Sequence, residues 1–217
     1  MYVLDWRGQK LVIHPGRAIF WEEKKALILS DLHLGKTGHF RKSGIAVPQN
    51  VYKEDLQRLF SLIQFFKPAE LIIVGDLFHS RENKELDLFK KWRSDLSPVA
   101  FHLVKGNHDI LPAAWYQSAD ITVTENELNQ HPFSFIHDPL EQPTIGEEEK
   151  YYFTGHIHPG VSIRGMAKQS LHFPCFYFTE TYCILPAFSR FTGTVSVPAK
   201  KGDHVFAIVE NSIIKVG

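Results

Sequence analysis

Four times in this chain an apolar run that reads as a β-strand ends in a short segment of metal-ligating residue types. The segments are Ser30-Asp31-Leu32-His33, Gly75-Asp76, Gly106-Asn107-His108-Asp109 and Gly155-His156-Ile157-His158. Open parallel sheets hold ligands at the carboxyl ends of their strands. Asp31, His33, Asp76, Asn107, His137, His156 and His158 all fall at or just past a predicted strand end, so strands distant in sequence can point them into one volume. Carboxylate, amide oxygen and imidazole, without cysteine, suit Mn²⁺, Fe²⁺ or Zn²⁺ better than a thiophilic site. Asp76 is the residue assigned to bridge two such ions, and Gly75 before it lets the backbone turn tightly.

The opening residues read as two hairpins: Tyr2 to Leu4 with Lys10 to His14, then Ala18 to Trp21 with Ala26 to Leu29. Pro48 to Phe66 carries Val51, Leu56, Leu59, Phe60 and Ile63 at helical spacing, and Pro68 stops it. A strand at Leu71–Val74, a helix over Asn83–Leu96 and a strand at Val99–Val104 complete a β-α-β-α-β progression, which predicts a mostly parallel sheet. After Asp120 only short strands follow. They are Ile121–Val123, Phe133–Ile136, Tyr151–Thr154, Val161–Ile163, Leu171–Phe178, Tyr182–Leu185, Val205–Val209 and Ile213–Val216. These predict a second, more antiparallel sheet. The expected fold is a four-layer α/β/β/α sandwich of two mixed sheets in one domain, residues 1–217, with no linker or repeat.

Composition narrows the function classes. The 217 residues carry 24 basic and 24 acidic side chains, so no global charge attracts nucleic acid or an anionic membrane. No apolar stretch is long enough to span a bilayer, and the N-terminus lacks a signal pattern; a cytoplasmic location and no membrane partner are expected. Cys175 and Cys183, the only two cysteines, read as buried thiols rather than a disulfide or zinc ligands. His14, His102, His172 and His204 read as structural or exposed. Gly35-Lys36-Thr37 imitates the end of a phosphate-binding loop, but Ser30 stands where that loop needs its first glycine.

The ordered set Asp-x-His, Gly-Asp, Gly-Asn-His-Asp, His and Gly-His-x-His resembles the calcineurin-like metallophosphoesterase superfamily over nearly the whole chain. The resemblance implies that Asp31, His33, Asp76 and His158 hold one divalent ion, and Asp76, Asn107, His137 and His156 the other. The family usually shows His-Gly where this chain has His137-Asp138, and His131 is the competing residue. A narrower resemblance is carried by Ser30-Asp-Leu-His-Leu-Gly-Lys-Thr-Gly-His-Phe-Arg-Lys-Ser-Gly44, Val47-Pro48 and Leu185-Pro-Ala-Phe-Ser-Arg-Phe-Thr-Gly193. These resemble the bacterial ligase-associated DNA damage response endonucleases. That implies a DNA-repair phosphodiesterase, Mn²⁺-dependent, with a DNA ligase and a helicase as functional partners. Ser189-Arg190 departs from the glycine-containing turn expected there.

The chemistry follows from two ions roughly 3.5–4 Å apart that share a water and lower its pKa, giving a hydroxide that attacks phosphorus. His108 is assigned as the general acid for the leaving oxygen, and the family pattern implies that Asp109 accepts a hydrogen bond from His108 and orients it. Lys36, Phe40 and Arg41, beside the ligands, form a basic-aromatic stretch able to hold a phosphodiester and stack a base. His79 and Arg190 are further candidates for contact with phosphate. Neutral overall charge favours a short single-stranded or nicked end over a long DNA groove. A phosphatase or phosphodiesterase for a small nucleotide is the competing enzyme. A scaffold with a vestigial metal site is a third possibility, against which the intact set including His108 speaks.

Overall fold

The computed structural model describes residues 1–34, 51–79, 83–141, 150–164 and 170–216. Its first sheet has seven strands that follow sequence order. Strands β1 (Tyr2–Trp6), β2 (Gln9–His14), β3 (Ala18–Trp21) and β4 (Ala26–Leu29) form an antiparallel meander. Strands β5 (Glu70–Val74), β6 (Ala100–Val104) and β7 (Ile121–Thr124) then continue parallel to β4. Parallel neighbours need crossovers, supplied here by α1 (Val51–Phe66), α2 (Asn83–Ser94) and α3 (Ala113–Ser118).

Successive strand residues point to opposite faces, and this sheet is buried on both. Leu27, Leu29, Leu71, Ile73, Phe101 and Leu103 face the helices, where Leu59, Leu62, Ile63, Leu86 and Phe89 meet them. Ala26, Ile28, Ile72, Val74 and Val104 face the second sheet. That double burial explains why β4 and β5 are unbroken apolar runs. Of the apolar residues at helical spacing Phe60 is 43% exposed, and Leu62 is buried beside Leu59 and Ile63. The buried stripe of α1 is centred on Asp55, Leu59, Leu62 and Ile63, and Phe60 falls off its flank.

The second sheet has nine strands. β8 (Leu128–Gln130), β9 (Phe133–Phe135), β10 (Tyr151–Thr154), β13 (Tyr182–Ile184) and β12 (Ser170–Phe178) lie side by side, continuing to β11 (Pro159–Arg164) and β14 (Val195–Ser196). β15 (His204–Val209) pairs with β12 and with β16 (Ser212–Val216). The sheet is mixed: β10 is parallel to both β9 and β13, whereas β12 is antiparallel to its partners. Up to Pro174, β12 pairs with β11, and from Cys175 it pairs with β15. Proline has no N–H to give a ladder, which suits the point of exchange. One expectation is corrected. Ile121–Val123 belongs to β7 of the first sheet, where Phe101 pairs with Ile121, and not to the second. The short helix α3 returns the chain in parallel, and six residues are too few to show a helical period in sequence.

Between the sheets the core is aromatic: Trp21, Phe133, Phe135, Tyr151, Phe153, Phe176, Phe178 and Phe206 are all fully buried. Truncating any of the phenylalanines to alanine costs about 3–5 kcal/mol. The outer helices of the expected sandwich cover the first sheet. The outward face of the second carries Cys175, Tyr177, Ile184 and Val205 packed against Val161 and Val197, and among the described residues no helix covers it. Cys175 and Cys183 are buried free thiols, opposite Ala207 and Phe178 respectively. Among the described residues no helix is long and apolar enough to cross a membrane.

Candidate metal centre

The ladder between β4 and β5 runs on past both strands and fixes the first two ligand loops against each other. Asp31 N–H donates to Gly75 O (3.1 Å), His33 N–H to Asp76 O (2.9 Å) and Leu34 N–H to Leu77 O (2.9 Å). Within these loops Asp31, His33 and Asp76 adopt φ of 54°, 48° and 52°, and His156 and His158, past β10, adopt 65° and 52°. The left-handed region costs a non-glycine residue roughly 1–2 kcal/mol. Five expected ligands are therefore held in a backbone state that only the surrounding structure stabilises. Gly75 (φ 79°) could carry no side chain here, because a Cβ would overlap the His137 ring.

Two clusters of ligand atoms result: Asp31 with His33 and His158, and Asp76 with His137 and His156. In the first, Asp31 Oδ1 lies 3.2 Å from His158 Nε2 and 3.9 Å from His33 Nε2. The two imidazole Nε2 atoms face each other at 3.4 Å. Asp31 Oδ2 accepts the His156 N–H (3.1 Å), while Oδ1 is buried with no hydrogen-bond partner among the described residues. In the second, His137 Nε2 faces Asn107 Oδ1 (3.2 Å), His156 Nδ1 (3.2 Å) and Asp76 Oδ2 (3.5 Å). One ring proton cannot serve three acceptors, whereas a cation surrounded by these atoms could be bound by all of them. His137 Nδ1 lies 3.2 Å from Val74 O, which fixes the tautomer that turns Nε2 inward.

Asp76 lies between the clusters. Its Oδ2 is 4.0 Å from His33 Nδ1 on one side and 3.5 Å from His137 Nε2 on the other, and Oδ1 accepts the His108 N–H (2.9 Å). Burial alone would raise the Asp76 carboxyl, but the bond to His137 and the charge of that ring hold it down to about 2. Burial likewise opposes the His137 cation, yet Asp76 and Asp31 lift it to about 9. Each thus stabilises the charged form of the other. A divalent cation is the species that fits both the donor set and the orphaned Asp31 oxygen.

Every expected ligand with a described position is brought together here, and the competing His131 is exposed in the turn between β8 and β9. His108 is 40% exposed at the mouth of the site, its Nε2 4.0 Å from Asp76 Oδ2. His79 packs its ring 4.2 Å from that of His108 and 5.6 Å from that of His33. The expected bond from His108 to Asp109 is not formed. Asp109 is buried, and its carboxylate accepts three backbone N–H groups, from Leu77 (3.0 Å), Phe78 (3.2 Å) and Gly106 (2.9 Å). Burial pushes its carboxyl up to about 7, with the Gly106 and Phe78 N–H groups pulling the other way. Asp109 therefore ties the loop after β5 to the loop after β6. Lys36, Phe40 and Arg41 lie outside the described residues. Arg190 is exposed, at the end of a strap that closes on the first cluster through Phe188 N–H to Ser30 O (2.8 Å) and Ser189 N–H to Asp31 O (3.2 Å). His14, His102, His172 and His204 stand elsewhere; His14 Nδ1 accepts the Gly16 N–H (2.8 Å), and His102 pairs with Glu70 (3.3 Å).

A family model of the calcineurin-like phosphoesterases matches residues 24–175, which include every one of these candidate ligands. The chain belongs to the calcineurin-like phosphoesterase family. Among solved structures, the Pseudomonas putida nuclease MPE is similar at a TM-score of 0.83 and 28% identity, over 99% of each chain. The Escherichia coli phosphoesterase Yfce matches at a TM-score of 0.46 and 14% identity, over 88% of this chain and 97% of its own. No curated protein matches. Membership makes the molecule a metal-dependent phosphoester hydrolase. Two residues that shape this phosphoesterase's site, Arg17 and Arg58, carried no sequence signal, because each bonds the strap across more than a hundred residues.

Proposed function

We propose that the chain, as one domain over residues 1–217, is a dinuclear metal-dependent phosphodiesterase that cleaves DNA. Mn²⁺ is the preferred ion in this reading, with Fe²⁺ and Zn²⁺ as alternatives, and the role is in cytoplasmic DNA repair alongside a DNA ligase and a helicase. The observation that carries it is the position of Asp76 Oδ2, within 4.0 Å of a histidine from each of two ligand clusters. The DNA substrate draws support from the 28% identity to a protein described as a nuclease and from the ligase-associated motifs.

Asp31, His33, Asp76 and His158 would hold one ion, and Asp76, Asn107, His137 and His156 the other. Bound there, divalent cations supply Lewis acidity toward the phosphoryl oxygens and make a water acidic near neutral pH. The protein's own part is positioning and proton transfer. His108 stands at the open side of Asp76, where its ring can donate a proton to the leaving oxygen. Its backbone N–H on Asp76 Oδ1 ties that ring to the metal-facing carboxylate. His79, whose ring lies tilted against that of His108, restricts its rotation and reaches the same mouth. Asp109 acts one step back, holding the two loops in register through their N–H groups.

The test is a paired assay with Mn²⁺, using bis(p-nitrophenyl) phosphate and single-stranded, nicked and flapped DNA. Cleavage of both substrate types, lost on chelation and restored by metal, is the expected result. DNA left intact where the artificial diester is cut would reject the nuclease reading and favour a small-nucleotide substrate.

A further inference from the structure

Arg17, Arg58 and Arg190 gather around one strap that the metal chemistry does not use. Arg17, in the turn between β2 and β3, donates through Nη1 to Ala187 O (2.9 Å) and Ser189 O (2.7 Å). Arg58, on α1, donates through Nη2 to Phe188 O and to Asp55 Oδ1 (2.8 Å) and lies 4.2 Å from the Phe188 ring centre. Arg190 follows directly and is exposed. Three elements thus deliver three guanidinium groups to residues 187–190. The same strap donates two backbone bonds to Ser30 and Asp31, so the cluster begins one residue from a metal ligand.

The charges do not cancel. Asp55 is the one carboxylate bonded to the cluster among the described residues, and Glu54 acts on Arg58 from further away. Burial first, then Arg58 and Arg190, push the Arg17 guanidinium down to about 10. Arg58 is lowered too, by burial and by Arg190 against the pull of Asp55. The arginines also keep donors in reserve. Arg17 engages the strap through Nη1 alone, and Arg190 is exposed. A half-buried cationic cluster short of carboxylates, with planar donors to spare, is chemistry suited to a phosphate.

We propose that Arg17, Arg58 and Arg190 form a phosphate subsite that holds a backbone phosphate of single-stranded DNA beside the one being cleaved. Arg190 supplies the exposed donor. Arg17 and Arg58 fix the strap and supply the field. The inference rests on the nuclease reading above and deepens it, since a subsite for a second phosphate separates a polynucleotide from a mononucleotide or a simple diester.

Arg190→Glu separates this role from a purely structural one. It places a carboxylate among uncompensated cations, so the melting temperature should hold or rise. The ratio of kcat/KM for a single-stranded 12-mer to kcat/KM for bis(p-nitrophenyl) phosphate should fall about 10-fold or more. The slope of log kcat/KM for DNA against log salt should flatten by about one contact. Arg190→Ala should shift the same ratio less. An unchanged ratio and salt slope in Arg190→Glu, or equal losses on both substrates, would overturn the subsite. Wild-type protein that cuts the artificial diester but no DNA would instead overturn the nuclease reading on which it rests.

Discussion

Asp76 and Asp109 stand just past the ends of neighbouring parallel strands, β5 and β6, and both are buried. Their surroundings differ. Asp76 turns Oδ2 toward imidazoles of both ligand clusters and is held down to about 2. Asp109 turns both oxygens to backbone N–H groups and is pushed up to about 7. Gly106 joins them: its N–H donates to Asp109 Oδ2, and a Cβ on it would overlap the Asp76 carboxylate. The contrast teaches that burial of an acid beside a metal centre does not make it a ligand. What it faces decides whether it binds cations or braces the loops that do.

The sharpest break in that contrast is Asp76→Asn. It should lower kcat on bis(p-nitrophenyl) phosphate with Mn²⁺ by about 10³-fold or more, abolish tight metal binding by calorimetry, and keep a cooperative melt. Retention of a tenth of the activity would remove Asp76 from the centre. Next is His108, which touches Asp76 through its N–H and sits in the loop that Asp109 pins. His108→Ala should cost about 10²-fold on DNA or a phenyl ester, and much less when p-nitrophenolate leaves, because a good leaving group needs no proton. Equal losses on both would assign His108 to binding.

Asp109→Asn should act on stability instead. An amide offers one acceptor oxygen where three N–H groups converge, so urea melts should show a loss of about 2–3 kcal/mol, with a smaller effect on kcat of the folded protein than Asp76→Asn. The smallest effect is on pH dependence after chelation. The Asp109 carboxyl titrates near 7 when folded, above its ordinary 3.8, so the folded state keeps a proton that the unfolded state releases. Its contribution to stability is therefore full below the ordinary value and lost as pH rises through about 7. Asp109→Asn should flatten that fall, and parallel profiles for the two proteins between pH 5 and 8 would count against the burial of a proton-binding acid.

The convergence of the candidate ligands is legible in sequence because each follows an apolar run that ends at Ser30, Gly75, Gly106 or Gly155, and a parallel sheet puts all such ends on one side. His137 was readable for the same reason, lying just past Phe133–Phe135, and His131 was not displaced by any rule of composition but by its place before the strand. The role of Asp109 is not legible in sequence, since adjacency to His108 says nothing about which way a carboxylate turns in a tight loop. The place of β7 in the first sheet is not legible in sequence, because α3 is too short to announce a crossover. Arg17 and Arg58 were invisible because their partners are strap carbonyls, which every residue possesses.

The strap has a consequence for the order in which the protein can be assembled. Asp31 is made early by the ribosome, yet its backbone oxygen is capped by Ser189, and its carboxylate by His156. A nascent chain therefore exposes an incomplete centre until Ser189 has been made. A chain that stops between Asp76 and Ser189 has its acidic loops made and no closed site to govern which cations they meet.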